Sequence, residues 1–133
     1  MTSLSFPKKE RLKSKKLLAA LFKEGRSFSV YPIRVVWIKN ENSEAPPIQL
    51  AVSVPKKRFK SAVDRNHIKR QIREAYRLQK EKLFGDNRHE GSDNFAVMLI
   101  YVSSKEETYS SIEKSIKKIL NRLSRDFSKD KPK

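Results

Sequence analysis

The chain contains no cysteine, a single tryptophan and only two histidines in 133 residues. Without cysteine it has no disulfide framework, no thiolate nucleophile and no sulfur-ligated zinc or iron site, and a reducing compartment is favoured. The histidines, His67 and His89, have neither metal-ligand spacing nor a carboxylate partner motif. We therefore expect no catalytic residue and no metal site on this chain.

Long apolar segments are also missing. No part of the sequence approaches the roughly 20 apolar residues that cross a bilayer, and the N-terminal stretch MTSLSFPKKERLKSKK has no apolar run of signal-peptide length. We expect a cytoplasmic protein without membrane contact. No repeat or low-complexity tract divides the sequence, so we predict one domain over residues 1–133, with flexible tails at 1–8 and 128–133.

Acidic residues are scarce relative to basic ones. The sequence has 15 Asp and Glu against 31 Lys and Arg, which gives a formal net charge of +16 and a pI of about 10.2. Such a surface repels itself unless it meets a polyanion. Because the cations are clustered and the pI exceeds about 9, nucleic acid is the favoured partner.

The N-terminal half of the chain predicts one helix and two strands. Ser14 is a suitable N-cap for a helix that runs to about Lys23, and Gly25 is placed to end it. Two β-branched runs follow, IRVVWIK and IQLAVSV, separated by a turn-rich acidic segment. This pattern predicts an antiparallel hairpin with a long loop.

The C-terminal half predicts two helices around one strand. Asp64 is a plausible N-cap for a helix from about Arg65 to Phe84. The continuous apolar run FAVMLIYV predicts the most central strand, and a capping box of Ser104 and Glu107 predicts the start of the last helix. The order α-β-β-α-β-α predicts a two-layer α/β sandwich with a mixed sheet of about four strands.

The helix predicted over residues 65–84 has two different faces. Its apolar positions fall within about 80° on a helical wheel: Ile68, Ile72, Ala75 and Leu83. A separate arc of about 100° holds the polar set: Asn66, Lys69, Arg70, Arg73, Arg77 and Lys80. From residue 56 to residue 82, eleven cations face three acids, a net charge of +8. Cations one turn apart suit a phosphate backbone, although a merely solvated face is the alternative.

The segment SVPKKRFKSAVDRNHIKRQIREAYR, from Ser53 to Arg77, resembles the signature of the bacterial ribonuclease P protein subunit. In that family a strand ending in Ser-Val-x-Lys-Lys is followed by an Arg-Asn-Arg-x-Lys-Arg-x-x-Arg helix. The segment LFKEGRSF is similar to the end of the family's first helix and its glycine stop, so the resemblance covers roughly residues 14–102. The family also implies a left-handed crossover around the basic helix, against the usual right-handed rule.

The resemblance implies that the basic helix and the segment before it bind the enzyme's RNA subunit. Arg65 and Asn66 match the first two residues of the Arg-Asn-Arg motif, and His67 stands where the family usually has its second arginine. The other implied contacts are Lys56, Lys57, Lys69, Arg70, Arg73 and Arg77. A neutral imidazole lacks arginine's permanent charge and fork. His67 is therefore either a pH-sensitive contact or a solvated or locally hydrogen-bonded side chain beside Glu74.

The resemblance also implies a division of labour. The RNA subunit, with bound Mg²⁺, cuts the 5′ leader from precursor tRNA, and the protein holds the single-stranded leader in a cleft between the first helix and the sheet. We expect Leu18, Phe22, Trp37 and Ser53 to line this cleft, where aromatic rings can stack on unpaired bases. Ordinary core positions are the alternative for the first three. A monomeric protein in a 1:1 complex with the RNA is expected.

Two other function classes compete with this prediction. A ribosomal protein is also small, basic and free of catalytic groups, but it has no substrate and needs no leader cleft. A nuclease, or a helix module that reads DNA, would require a metal or catalytic constellation, or an exposed recognition helix preceded by a turn. The combined spacing from Ser53 to Arg73 favours the ribonuclease P prediction over both.

Overall fold

The computed structural model describes residues 10–42, 44, 46–83 and 94–129. Its elements in chain order are α1 (Lys15–Glu24), β1 (Arg26–Val30), β2 (Ile33–Asn40), β3 (Ile48–Ser53), α2 (Ala62–Gln79), a short 3-10 helix (Lys80–Leu83), β4 (Asn94–Tyr101) and α3 (Tyr109–Lys129). The predicted tail at 1–8 lies outside the described residues, as do 130–133, Phe84 and His89. α3 continues through Lys129, so the predicted tail at 128–133 overlaps the last two residues of that helix.

The four strands form one mixed sheet in the order β1-β2-β4-β3. β4 is antiparallel to β2 and parallel to β3, which confirms that the FAVMLIYV run is the central strand. The predicted antiparallel hairpin of β2 and β3 is wrong, because β4 lies between them. The parallel strands β3 and β4 are joined through α2, as a crossover connection requires. That this crossover connection is left-handed stays a prediction.

The sequence-based prediction missed β1, so the observed order is α-β-β-β-α-β-α. β1 forms the actual hairpin with β2, and Phe28 lies opposite Val35. The strand is five residues long and alternates exposed Ser27 and Ser29 with buried Phe28. Because such a short edge strand has one solvated side, its apolar residues do not form a conspicuous run.

Helices cover both faces of the sheet. α2 and α3 pack on one face, which confirms the α/β sandwich, and α1 packs on the opposite face. The smaller cluster under α1 contains Leu21, Val36, Ala96 and Met98. The larger cluster takes these residues from α2 and α3: Ile68, Ile72, Ala75, Tyr76, Ile112, Ile116, Ile119, Leu120, Leu123 and Phe127. Burial on both sides explains why β2 and β4 are apolar at successive positions.

α1 begins and ends where the sequence predicts. Ser14 Oγ accepts a hydrogen bond from the N–H of Leu17 at 3.2 Å, and the N–H of Gly25 donates to the Leu21 carbonyl at 2.9 Å. Gly25 is required for space, since its φ of −67° suits any residue. A Cβ at this position would lie 2.3 Å from the Leu21 oxygen and 2.7 Å from Val36 Cγ1. The missing side chain lets α1 lie directly on β2.

The N-terminus of α2 differs from the prediction. Ser61, not Asp64, is the N-cap, and its Oγ accepts a hydrogen bond from the N–H of Asp64 at 3.4 Å. The helix therefore begins at Ala62, before the predicted start at Arg65. Asp64 lies in the first turn, where a carboxylate interacts favourably with the positive end of the helix dipole.

The predicted capping box of Ser104 and Glu107 is wrong. Thr108 caps α3 instead, because its Oγ1 accepts a hydrogen bond from the N–H of Ser111 at 3.1 Å. The carboxylate of Glu107 accepts a hydrogen bond from Ser103 Oγ at 2.9 Å and so belongs to the loop before the helix.

α3 is the longest helix, with 21 residues. Neither it nor any other helix in the described ranges is long and apolar enough to cross a membrane.

Candidate nucleic-acid interface

α2 presents a cationic face to solvent. Opposite its buried side, Asn66, His67 and Arg70 are exposed, and Lys69 and Arg73 are half-buried. Within the described part of the chain, Asn66, Lys69 and Arg70 have no hydrogen-bond or ion-pair partner. One helical turn spaces such side chains by about 5.4 Å along the axis. The N-terminal half of this face therefore offers donors to an anionic ligand.

The C-terminal half of the same face is partly neutralised within the protein. Arg77 donates from Nε to Glu74 Oε2 at 3.2 Å and forms an ion pair with the other oxygen. The hydrogen bonds from Arg77 hold the pKa of the Glu74 carboxyl below its usual value. Partial burial, together with nearby Arg11, lowers the pKa of Arg73. A bound phosphate near Arg73 would relieve that repulsion.

Arg65 has an intramolecular role that the sequence does not reveal. Its Nη1 donates to the carbonyl of Phe59 at 2.7 Å and to the carbonyl of Lys60 at 2.9 Å. The side chain is half-buried and ties the start of α2 to the loop before it. The contact of Arg65 with RNA stays a prediction. Independently of RNA, its two hydrogen bonds stabilise the fold at the start of α2.

We expect Arg65→Ala to lower the free energy of unfolding by about 1 to 2 kcal/mol, because two carbonyls lose a charged donor. Arg70→Ala is the matched control, since it removes the same side chain from an exposed position and should change stability by less than about 0.5 kcal/mol. Urea denaturation of both variants measures the difference. Equal stabilities would show that the Arg65 hydrogen bonds contribute nothing to folding.

Lys56 and Lys57 lie exposed in the loop between β3 and α2. The N–H groups of Arg58 and Phe59 both donate to the Pro55 carbonyl, at 3.1 and 3.4 Å. The Phe59 side chain packs against the larger core cluster. The two lysines are therefore presented from a fixed turn directly before α2.

His67 is exposed on α2. It makes no hydrogen bond within the described residues, and the carboxylate of Glu74 is engaged by Arg77. The locally hydrogen-bonded alternative is therefore not observed. A solvated imidazole stands where the family motif has an arginine.

We call the surface between α1 and the end of β3, on the face of the smaller cluster, the α1 groove. Arg34 and Ser53 both lie opposite Ile100, so these three residues form one row across β2, β4 and β3 and share a face. Leu18 and Ile100 both pack against the smaller cluster. Phe22 lies one turn after Leu18 and is 65% exposed. Three of the four predicted cleft residues, Leu18, Phe22 and Ser53, therefore lie on the α1 side of the sheet, and their contact with a leader stays a prediction.

Trp37 lies elsewhere. Its side chain is 2% exposed and packs edge-on against Phe95 and Phe127, with ring centroids 5.7 and 5.1 Å apart. All three rings belong to the larger cluster, on the sheet face away from α1. Trp37 is therefore a core residue, as the alternative predicted. It borders the second groove beside α1, described below, and not the row of Ser53, so its contact with a leader stays a prediction.

Arg34 and Ile100 are the groove residues that the sequence-based prediction missed. Side chains of a strand alternate between faces, so the faces follow from the register. In β2, Val35, Val36 and Trp37 are all buried because both faces are covered, and their pattern does not distinguish the two sides. The charged Arg34 inside this apolar run is the one sequence signal that marks the α1 face of the sheet, which is less covered than the other face.

A second groove, of about 820 Å³, lies on the other flank of α1. Ala20 and Glu24 line it from the helix, and Asn40 and Gln49 line it from the strands. Asn40 Nδ2 donates to Gln49 Oε1 at 3.2 Å. Its charged lining has both signs, with Glu24 and Glu41 beside three cations, so it is less suited to phosphate than the Phe22 side.

The family model for ribonuclease P matches residues 6–124 of the chain. The chain belongs to the ribonuclease P protein family. The ribonuclease P protein component of Porphyromonas gingivalis is 38% identical to it over 116 residues, which cover 87% of this chain and 84% of that protein. The Clostridioides difficile component is 32% identical over 119 residues, covering 90% and 96%. The solved Staphylococcus aureus RNase P protein is similar in structure, with a TM-score of 0.67, 26% identity and coverage of 85% and 94%.

Membership of the ribonuclease P protein family confirms the resemblance seen in the sequence and extends it beyond residues 14–102. The chain is a protein component of ribonuclease P, a ribonucleoprotein of tRNA processing. The ribosomal-protein and DNA-binding alternatives are thereby set aside.

This ribonuclease P protein offers no cluster of metal ligands in the part of the chain that is described. No three or more His, Asp or Glu side chains there are grouped so that they could hold a metal ion. The described residues therefore provide no all-protein metal cage.

Proposed function

We propose that this protein binds the catalytic RNA of ribonuclease P through α2 and the Lys56–Lys57 loop, and holds the 5′ leader of precursor tRNA in the groove beside α1. The RNA subunit, with Mg²⁺, removes the leader and leaves the mature 5′ end of the tRNA. The protein contributes no reacting group. It acts in the cytoplasm as a monomer in a 1:1 complex with the RNA.

The relation between the groove and α2 carries this proposal. Ser53 ends β3 in the groove, α2 begins at Ala62, and the exposed Lys56 and Lys57 lie in the connection between them. The groove lies on the α1 face of the sheet and α2 packs on the other. One RNA strand can therefore lie on each side of the end of β3. This arrangement suits a protein that brings one RNA to another.

The charge of the protein supports the same role. A leader and a catalytic RNA are both polyanions and repel each other when they approach. A protein with a net charge of +16 reduces this repulsion when it lies between them. Contacts between cations and phosphates also release counterions, which favours the complex at low salt.

The groove can bind a leader without reading its sequence. The exposed ring of Phe22 can stack on any base, because every base has a π face. Arg34, exposed in the same row as Ser53, can pair with a phosphate. Leu18 adds an aliphatic contact only. The groove therefore favours an unpaired strand over a particular sequence.

Cleavage of a precursor tRNA at low Mg²⁺ tests the proposal. The reaction combines a leader-bearing precursor tRNA with the cognate ribonuclease P RNA, with and without the full-length protein. We expect cutting at the mature 5′ end to be stimulated only when RNA and protein are both present. A basic peptide of matched net charge is the control for unspecific neutralisation, and it should not reproduce the effect.

Two outcomes would contradict the proposal. Absence of stimulation with a correctly folded cognate RNA would remove the proposed role in leader cleavage. Cutting by the protein alone, under the same conditions, would show an active site on the protein and overturn the assignment of the chemistry to the RNA.

A further inference from the structure

The outer face of α3 carries a second basic surface, beside that of α2. Between residues 114 and 125 the sequence has five cations and no acid. All five are exposed, on the side of the helix opposite its buried residues. We call this set the α3 stripe: Lys114, Lys117, Lys118, Arg122 and Arg125.

Most of the α3 stripe is not neutralised within the protein. Arg122 is engaged, since its Nε lies 3.7 Å from Asp126 Oδ2 and its guanidinium carbon lies 4.2 Å from the Phe28 ring centroid. The other four members have no hydrogen-bond or ion-pair partner among the residues that the structure describes. Solvated helix faces commonly mix acids with cations. The stripe lies between two acids, Glu113 and Asp126, but four of its five cations stay unpaired among the described residues, and this excess of positive charge indicates an anionic ligand.

An exposed aromatic ring stands beside the stripe. Tyr31, in the turn between β1 and β2, is 65% exposed, and its hydroxyl donates to Ser103 Oγ at 3.0 Å. This bond holds the phenol edge while a face of the ring stays open to solvent. Tyr31, Lys114 and Lys118 line one small cavity of about 180 Å³ together with Glu107, whose Oε2 lies 3.4 Å from the Tyr31 hydroxyl. An aromatic ring, two cations and one carboxylate therefore share one site, with the cations in excess.

The α3 stripe lies beside α2 and on the sheet face opposite the α1 groove. α3 packs over β1 and β2, and Ser115 Oγ fixes it there by donating to the Val30 carbonyl at 2.8 Å. α2 packs over β3 and also against α3, where Gln79 Nε2 donates to the Glu113 carbonyl at 3.3 Å. The α1 groove lies on the other face of the sheet.

We propose that the α3 stripe and Tyr31 form a further binding surface for single-stranded RNA. A base stacks on Tyr31, and the phosphates next to it meet the cations of the stripe at intervals of about one helical turn. The ring favours an unpaired strand, because the bases of double-stranded RNA are stacked inside the helix and not open to a side chain. The surface goes beyond the proposed binding of the catalytic RNA and of the leader.

Paired substitutions test the stripe with a fluorescent oligouridine as the probe. Lys117→Gln/Arg125→Gln removes two cations from the stripe, and Lys13→Gln/Lys23→Gln removes two exposed cations from the region of α1 as the matched control. For two lost contacts, the slope of log affinity against log salt should fall by about 1.4 for single-stranded RNA. The control pair should keep the wild-type slope. Equal slopes for the two double variants would overturn the proposal.

The tyrosine is tested separately. Tyr31→Ala should weaken oligouridine binding by at least about fivefold, the lower limit for loss of one stacked base. Tyr31→Phe keeps the ring and should bind within about twofold of the wild type. Equal losses for both variants would assign the effect to the lost hydroxyl bond and remove the stacking site.

Amide chemical shifts locate the bound strand without any cleavage reaction. During titration of the full-length protein with a uridine hexamer, the amides of Tyr31 and of residues 114–125 should shift. They should also shift in Phe22→Ala, which disables the α1 groove. Shifts confined to α1, α2 and β3, or no shifts at all, would overturn the proposal. Failure of the cleavage reaction would leave this measurement unaffected.

Discussion

Trp37→Ala is expected to lower the free energy of unfolding by about 3 to 5 kcal/mol, without changing the affinity of the folded protein for a tRNA leader. The indole is 2% exposed and fills the space beside Phe95 and Phe127, whose rings stack with their centroids 3.8 Å apart. Removing it leaves a cavity between the sheet and the end of α3. Because the variant has no tryptophan, urea denaturation is followed by far-ultraviolet circular dichroism.

Phe22→Ala is the matched variant and should behave in the opposite way. Its ring is 65% exposed, so the loss should change stability by less than about 0.5 kcal/mol. Loss of one stacked base should weaken the binding of precursor tRNA by roughly 5-fold to 150-fold, with mature tRNA unaffected. Fluorescence anisotropy measures both tRNA forms at a temperature where each variant is folded. A lower preference for precursor tRNA in Trp37→Ala, but not in Phe22→Ala, would contradict the assignment of the groove.

The double substitution Arg70→Gln/Arg73→Gln should have the largest effect on RNA binding. Arg70 has no partner among the described residues, and Arg73 is half-buried near Arg11, so both gain from a phosphate. We expect the affinity for the cognate ribonuclease P RNA to fall by roughly 10²-fold at about 0.1 M salt. The slope of log affinity against log salt should fall by about 1.4 to 1.8, for two lost contacts.

The control for this experiment is again Lys13→Gln/Lys23→Gln, which changes the net charge by the same amount away from α2. Filter binding across a salt series gives both slopes. If the two double variants lost affinity equally and kept a common slope, the effect would be due to net charge alone. The outer face of α2 would then not be the RNA interface.

The elements that were predicted correctly are those with a complete local signal. Ser14 and Gly25 mark the two ends of α1, and the continuous apolar run of β4 marks a strand covered on both sides. The pairing of strands is not a local property, so the sequence did not reveal that β4 separates β2 from β3. The prediction of the α2 N-cap was wrong because two candidate residues lie close together. Ser61, and not Asp64, is the N-cap, since its hydroxyl accepts a hydrogen bond from the N–H three residues ahead.

The candidate site was predictable to a similar extent. The wheel of α2 correctly separates Asn66 and Arg70 from the buried residues, because a helical period fixes both faces at once. It does not show that Arg65 bonds to the carbonyls before the helix, since those bonds depend on how the preceding loop folds back. The face on which Trp37 lies was not predictable for another reason: one residue of register moves a side chain to the opposite face of a sheet.

The position of β4 in the chain has a consequence for biosynthesis. The hairpin of β1 and β2 can form early, but β3 gains its ladder partner only after residues 94–101 have left the ribosome. Pairing across such a separation is slow, because a long loop must close before its contacts form. Until then the apolar sides of α2 and β3 have no central strand to pack against, while the cations of α2 are already synthesised. A nascent chain can therefore attract RNA before it has a folded surface on which to hold it.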